Sequence, residues 1–139
     1  MSDIFSDIEL FLESYEDKLE IDNKPMSVII KNFTDIVKKN KKYSSIIKSQ
    51  IDKVNITFEE YQSAAFKFAF ETSKKGLTAK EAMIYSNGDA NVIQCKELLQ
   101  QLNYYKFRLD AVNDITEAIG YQINNLTRLL VASLHDYIL

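Results

Sequence analysis

Apolar positions recur along this chain at steps of three and four, with polar positions filling the intervals. That spacing marks helices with one buried face, and no segment alternates with the period of two that marks a strand. The first run is Ile4, Phe5, Ile8, Phe11, Leu12, Tyr15 and Leu19, which predicts a helix over about residues 3–20. Asp22-Asn23-Lys24-Pro25 ends it, because proline disfavours helical backbone in the residue before it. A second helix is expected from Pro25 to about Asn40, with Val28, Ile29, Phe33, Ile36 and Val37 on one side. Ile47, Ile51, Val54, Phe58, Tyr61, Ala65, Phe68 and Thr72 then alternate steps of four and three, a heptad seam that assigns Phe68 to a core. Lys38–Ser45 either joins these two helices or loops between them.

Ser73-Lys74-Lys75-Gly76 closes this segment, with Gly76 free to take left-handed backbone. Thr78-Ala79-Lys80-Glu81 fits a capping box and starts a short helix to about Tyr85. Ser86-Asn87-Gly88-Asp89 is a second stop and start, in which Asp89 caps the next helix. From there to the C-terminus the chain has no proline and one glycine, Gly120. The seam of this last stretch runs Val92, Cys95, Leu99, Leu102, Tyr105, Leu109, Val112, Ile115, Ile119, Ile123, Leu126, Leu130, Leu134 and Tyr137, with a mean step of about 3.5 residues.

Unbroken, that helix is about 75 Å long. A compact globule of this chain length has a radius of gyration of only about 14 Å. The helix therefore either breaks near Gly120 or protrudes and is covered by other copies. A mid-helix glycine costs about 1 kcal/mol relative to alanine, so a close approach of another helix is the better reading of Gly120 than a kink. The expected fold is all-α, an elongated helical hairpin or bundle with a long C-terminal helix, assembled as a homo-oligomer. Leu102, Tyr105, Leu109, Val112, Ile119, Gly120, Ile123, Leu126 and Leu130 are the expected oligomerisation residues. The chain reads as a single helical domain: an acidic helix over 1–22, a basic segment over 25–75, a short helix over 78–86 and the oligomerisation helix over 89–139.

Charge changes this picture. The net charge of −3 hides a segregation. Residues 1–22 hold Asp3, Asp7, Glu9, Glu13, Glu16, Asp17, Glu20 and Asp22 against Lys18 alone; residues 23–54 hold eight lysines against Asp35 and Asp52. An acidic head beside a basic middle points to a polyanion partner for the middle, or to pairing of the two. The head is expected to pack its apolar stripe on the helical body and to compete with that partner.

The inventory excludes most catalysis. His135 and Cys95 are the only histidine and cysteine, which leaves no His/Cys metal cluster. Three isolated glycines make no phosphate-binding loop. The expectation is a binding protein, not an enzyme, with no cofactor and no metal. The absence of a membrane-length apolar run, the acidic N-terminus and the single cysteine lead to an expected cytoplasmic location.

The basic middle is the main candidate site. Lys38, Lys39, Lys41 and Lys42, followed by Tyr43, put four ammonium groups and a ring within six residues. Lys67, Lys74 and Lys75 form a second group, interleaved with Phe66, Phe68 and Phe70. Lysines bind phosphates as point charges and rings stack on unpaired bases, the combination used in sequence-blind binding of single strands.

Lys80-Glu81-Ala82, Ser86-Asn87-Gly88-Asp89, the pair Tyr104-Tyr105 and the block Gly120-Tyr121-Gln122-Ile123-Asn124-Asn125-Leu126 together resemble the UvsY family of phage recombination mediators. The resemblance covers about residues 74–130. It implies a ring-forming helical oligomer that binds single-stranded DNA, loosens the single-strand-binding protein and helps load the recombinase. It also implies that the helix from Asp89 to about Leu130 assembles the ring and that Lys67, Lys74 and Lys75 face DNA. The chain departs from the family in having no arginine before Arg108, and the acidic N-terminal helix has no counterpart there. The alternative is a helical adaptor or inhibitor that binds protein only, a phage-encoded modulator whose acidic head imitates nucleic acid.

Overall fold

The computed structural model describes residues 2–72 and 76–138, and among them there is no strand. The fold is all-helical: α1 is Ser2–Lys18, α2 Met26–Thr72, α3 Ala79–Asn87 and α4 Ala90–Ile138. Lys74 and Lys75 and the side chain of Tyr137 lie outside the described residues.

Lys38–Ser45 is helical, so the two helices expected from Pro25 to Thr72 are one helix of 47 residues. Two features join them. No proline or glycine lies between Pro25 and Gly76, and the inward face continues through the joint as Ile29, Ile36, Asn40, Ile47 and Val54, all buried. The turn before α2 is set by Asn23, which takes left-handed backbone at φ 62°, a conformation asparagine tolerates. The Pro25 carbonyl then accepts from the amides of Val28 and Ile29, at 3.0 and 3.1 Å, to start the helix.

The helix boundaries follow local chemistry. The Thr78 hydroxyl accepts from the Glu81 amide at 3.2 Å and donates to the Glu81 carboxylate at 3.1 Å. The threonine half of the expected capping box is thus present, while the glutamate answers the hydroxyl in place of the backbone. Asp89 accepts from the amides of Asn91 and Val92 at 2.9 and 3.3 Å and starts α4. Gly76 has φ +66°, the left-handed value that glycine alone adopts freely.

The chain divides into two compact units, Met1–Ser45 with Phe107–Leu139, and Ile46–Lys106. In the first, α1 buries Phe5, Ile8, Phe11, Leu12 and Tyr15, and Leu19 follows just beyond its end. The Phe11 ring lies against Tyr43 of α2 with centroids 5.4 Å apart. Ile36 of α2 and Leu109 and Val112 of α4 are buried in the same unit. Helix α4 passes Gly120 without a break. A Cβ built there meets Cζ of Phe33 at 3.3 Å, tighter than most such contacts. Close approach, not a kink, explains this glycine.

In the second unit, Ile47, Val54 and Ala69 of α2 are buried, as are Ala82 and Ser86 of α3 and Val92, Cys95 and Leu102 of α4. The Gln62 amide donates to Oδ1 of Asn87 at 3.0 Å, tying α2 to α3. The expected heptad seam is corrected here: Phe68 is 64% exposed and Ala69 takes its place inside. A straight helix of 3.6 residues per turn drifts about 20° per heptad from a 3.5 repeat. Over three heptads from Ile47 the drift carries Phe68 off the buried face.

The coverage of α4 is also corrected. Leu102, Tyr105, Leu109, Val112 and Ile123 are buried within the single chain, so this part of the seam needs no second copy to shield it. Helix length alone therefore does not call for a second copy over these positions.

Two polar groups in the first unit carry testable energy. Asn40 is 3% exposed, and its Oδ1 has no hydrogen-bond partner among the described residues. An unmatched buried carbonyl costs about 1–3 kcal/mol. Asn40→Leu, close in volume, is expected to raise the thermal midpoint by a few degrees, on the order of 1–2 kcal/mol. A lowered midpoint in calorimetry would show that the carbonyl is satisfied.

Tyr15 is raised above its ordinary value of 10.0 by burial, and then by the charge of Glu16 and a hydrogen bond to it, with Arg108 opposing. The folded chain holds this proton more tightly than the unfolded one. Its contribution is therefore complete below pH 10.0 and is lost as pH rises beyond that value. Tyr15→Phe is expected to flatten the alkaline loss of stability in denaturant titrations, and an unchanged alkaline slope counts against the assignment.

Candidate nucleic-acid interface

The lysines of the basic middle stand on the outward side of α2. Lys31, Lys38, Lys39, Lys41 and Lys42 are all exposed, because the helix commits the opposite side, through Ile29, Ile36 and Asn40, to the core. Lys31, Lys38 and Lys42 follow one another at steps of seven and four and so share one ridge. Lys39 lies toward α1, where it lines a hollow of about 200 Å³ with Asp7, Ser14, Lys18 and Tyr43. The Lys42 ammonium is 6.0 Å from the centre of the Tyr43 ring, at the outer reach of a cation–π contact.

The acidic head packs here but leaves these charges unmatched. Among the described residues, no carboxylate is ion-paired with Lys38, Lys39, Lys41 or Lys42. Lys24 turns back to the head, donating to the Asp17 carbonyl at 3.1 Å. Glu13, Glu16, Asp17 and Glu20 are exposed. Four like charges within five residues, ion-paired with no described carboxylate, outnumber the exposed Asp35 one turn away and give a local positive potential that favours anions.

Of the second lysine group, the structure describes Lys67 only, which belongs to the other unit. It is exposed and lines a hollow of about 370 Å³ with Phe66 and Met83. The Phe66 and Phe70 rings are stacked with centroids 5.9 Å apart, and Phe68 and Phe70 are exposed. A ring-and-lysine surface is therefore present, and the rings are more accessible than the heptad pattern predicts.

The expected oligomerisation residues do not share one environment. Beyond the five buried ones, Ile119, Gly120 and Leu126 are half-buried and Leu130 is exposed. Leu129, Val131 and Leu134 are exposed beside it. The second unit holds a feature not expected from sequence, a groove of about 840 Å³ between α2 and the α3–α4 corner. Its walls include Tyr61, Ala64, Ala65 and Phe68 on one side and Ile84 and Tyr85 on the other. The signal for it is an apolar pair, Ile84-Tyr85, placed off the buried Ala82 and Ser86 face of α3.

Among the described residues, no group of three or more His, Cys, Asp and Glu side chains could hold a metal ion. No described helix is long and apolar enough to cross a membrane. Comparison of the chain with protein-family models, curated proteins and solved structures finds no match.

Deleting the head would strip a wall from the core, so its electrostatic role has to be tested with the helix in place. Changing Glu13 and Glu20 to Gln and Asp17 to Asn removes three exposed charges and leaves both the buried stripe and the Glu16 partner of Tyr15 in place. The variant is expected to keep its helical circular dichroism and to elute from a heparin column at higher salt than the wild type. Equal elution would show that these carboxylates do not act on the lysine surface.

Proposed function

We propose that this protein is a recombination-mediator-type accessory factor that binds single-stranded DNA as a helical homo-oligomer. The observation that carries the reading is the set of exposed lysines at 38, 39, 41 and 42, on the outward side of a continuous helix and unpaired among the described residues. Lysines on one helix grip phosphates without reading bases, so the binding is indifferent to sequence. Each copy contributes a small patch. An oligomer gathers many patches on one strand and multiplies their affinity through effective concentration. Exposed rings near Lys67 add stacking, which unpaired bases permit and paired ones do not.

The resemblance to the UvsY family supports the same role: assistance to a recombinase on DNA coated by single-strand-binding protein, in the cytoplasm of a host cell. The role is one of binding and not of catalysis. A second reading rests on α1, whose outward carboxylates make an acidic surface on a firmly docked helix. In that reading the chain is an adaptor or inhibitor that occupies the nucleic-acid site of another protein.

Fluorescence anisotropy of a labelled oligo(dT) across a salt series separates the two. Wild-type affinity is expected to fall steeply with salt, because each lysine–phosphate contact releases counterions and adds about 0.7 to the log–log slope on a single strand. Replacing Lys38, Lys39, Lys41 and Lys42 together by alanine is expected to weaken binding at least tenfold and to flatten that slope by about 2–3. Undetectable binding by the wild type rejects the first reading. An unchanged slope in the variant moves the site elsewhere on the chain.

A further inference from the structure

The α2–α3 groove and the end of α4 are both apolar and both open. Tyr61, Phe68, Ile84 and Tyr85 are exposed along the groove, with Phe68 64% and Tyr85 65% accessible. Between them, Ala64 and Ala65 keep one wall low and leave a channel. Isolated exposed apolar residues are ordinary, but a concave row of them, rimmed by polar groups, marks a docking site. At the other place Leu129, Leu130, Val131 and Leu134 are exposed within two turns of one helix. A helix laying an apolar face in a groove is a recurrent mode of recognition.

We propose that copies of this chain join head to tail, the apolar end of α4 of one copy seated in the α2–α3 groove of the next. Two observations favour a second copy as the occupant. The first is area: the exposed parts of these eight side chains amount to on the order of 1,000 Å², about what a specific interface requires. The second is charge. The groove is lined by one carboxylate, Asp89, and by no lysine or arginine. The stretch 118–135 carries Arg128 and no carboxylate. Arg128 is thus opposite in sign to Asp89, with Asp136 the next charge along the helix beyond Leu134.

Because groove and helix end are different patches of the chain, the contact is heterologous. It leaves every joined pair with one free groove and one free end, and so extends into a closed ring or an open filament. A stripe-to-stripe dimer would leave the groove uncovered. The proposal rests on the reading of the protein as a homo-oligomer and specifies how the copies meet.

Ile84→Glu blocks the groove and Leu130→Glu blocks the helix end; both positions are exposed, so helical circular dichroism is expected to stay that of the wild type. In sedimentation at tens of micromolar, the wild type is expected to exceed the monomer mass and each variant to run as a monomer. An equimolar mixture is expected to give a species of two chains and nothing larger, since only one intact groove and one intact end remain per pair. Wild-type assembly in either variant, or a mixture that stays monomeric, overturns the proposal while leaving self-association in place. A monomeric wild type overturns both, and the salt series with oligo(dT) then decides the DNA-binding reading separately.

Discussion

The pitch of the α-helix constrains this structure more than any single contact. A helix repeats every 3.6 residues, and a line of side chains spaced by 3.5 cannot stay on its inner side over many turns unless the helix supercoils. Without a supercoil, the buried line of α2 must pass from one set of residues to the next. In the second unit it starts at Ile47 and Val54 and ends at Ala69. The large side chains left behind, Tyr61 and Phe68, then form a wall that faces Ile84 and Tyr85 across open space. The groove is a by-product of pitch in a helix with no proline or glycine to reset its phase.

The lower orders of structure were legible in the sequence. Helix ends depend on neighbours a few residues away, so Thr78, Asp89, Gly76 and the Asn23–Pro25 turn mark boundaries that the structure keeps. Gly120 was legible too, because the pattern resumes at once beyond it. What escaped depends on partners distant in sequence. The joint at Lys38–Ser45 is held by an inward face that includes Asn40, a polar residue that breaks the apolar pattern there. The cover over Leu109 and Val112 comes from helices more than sixty residues away in the chain. The lysine cluster could be located from sequence, and Lys38, Lys41 and Lys42 are exposed because they face away from Ile36, while Lys39 stands beside it at the edge toward α1. The groove could not, since α3 shows too weak an apolar side to say which way Ile84 and Tyr85 point.

Helix α1 divides its duties by face. Its inner side supplies six buried apolar residues counting Leu19; its outer side supplies charge. The chemistry of stability and the chemistry of the surface meet at Glu16, which accepts from Tyr15; Glu13, Asp17 and Glu20 are exposed on the outer side and can change without touching the buried residues. Lys39 and Asp7 share a hollow at the border between the acidic helix and the basic one, which places opposite charges close enough to influence one another within the screening length of physiological salt.

The approach of Gly120 to Phe33 has an evolutionary reading. The space between α2 and α4 at this level is filled by one ring, and the glycine exists because the ring does. Room for a side chain at position 120 requires less ring at position 33. The two positions form a size-exchange pair: as relatives of this chain diverge, a larger residue at 120 should arrive with a smaller one at 33, and glycine should persist wherever the aromatic does. A pair of columns that trade volume in this way would report the distance between two helices without any structure in hand.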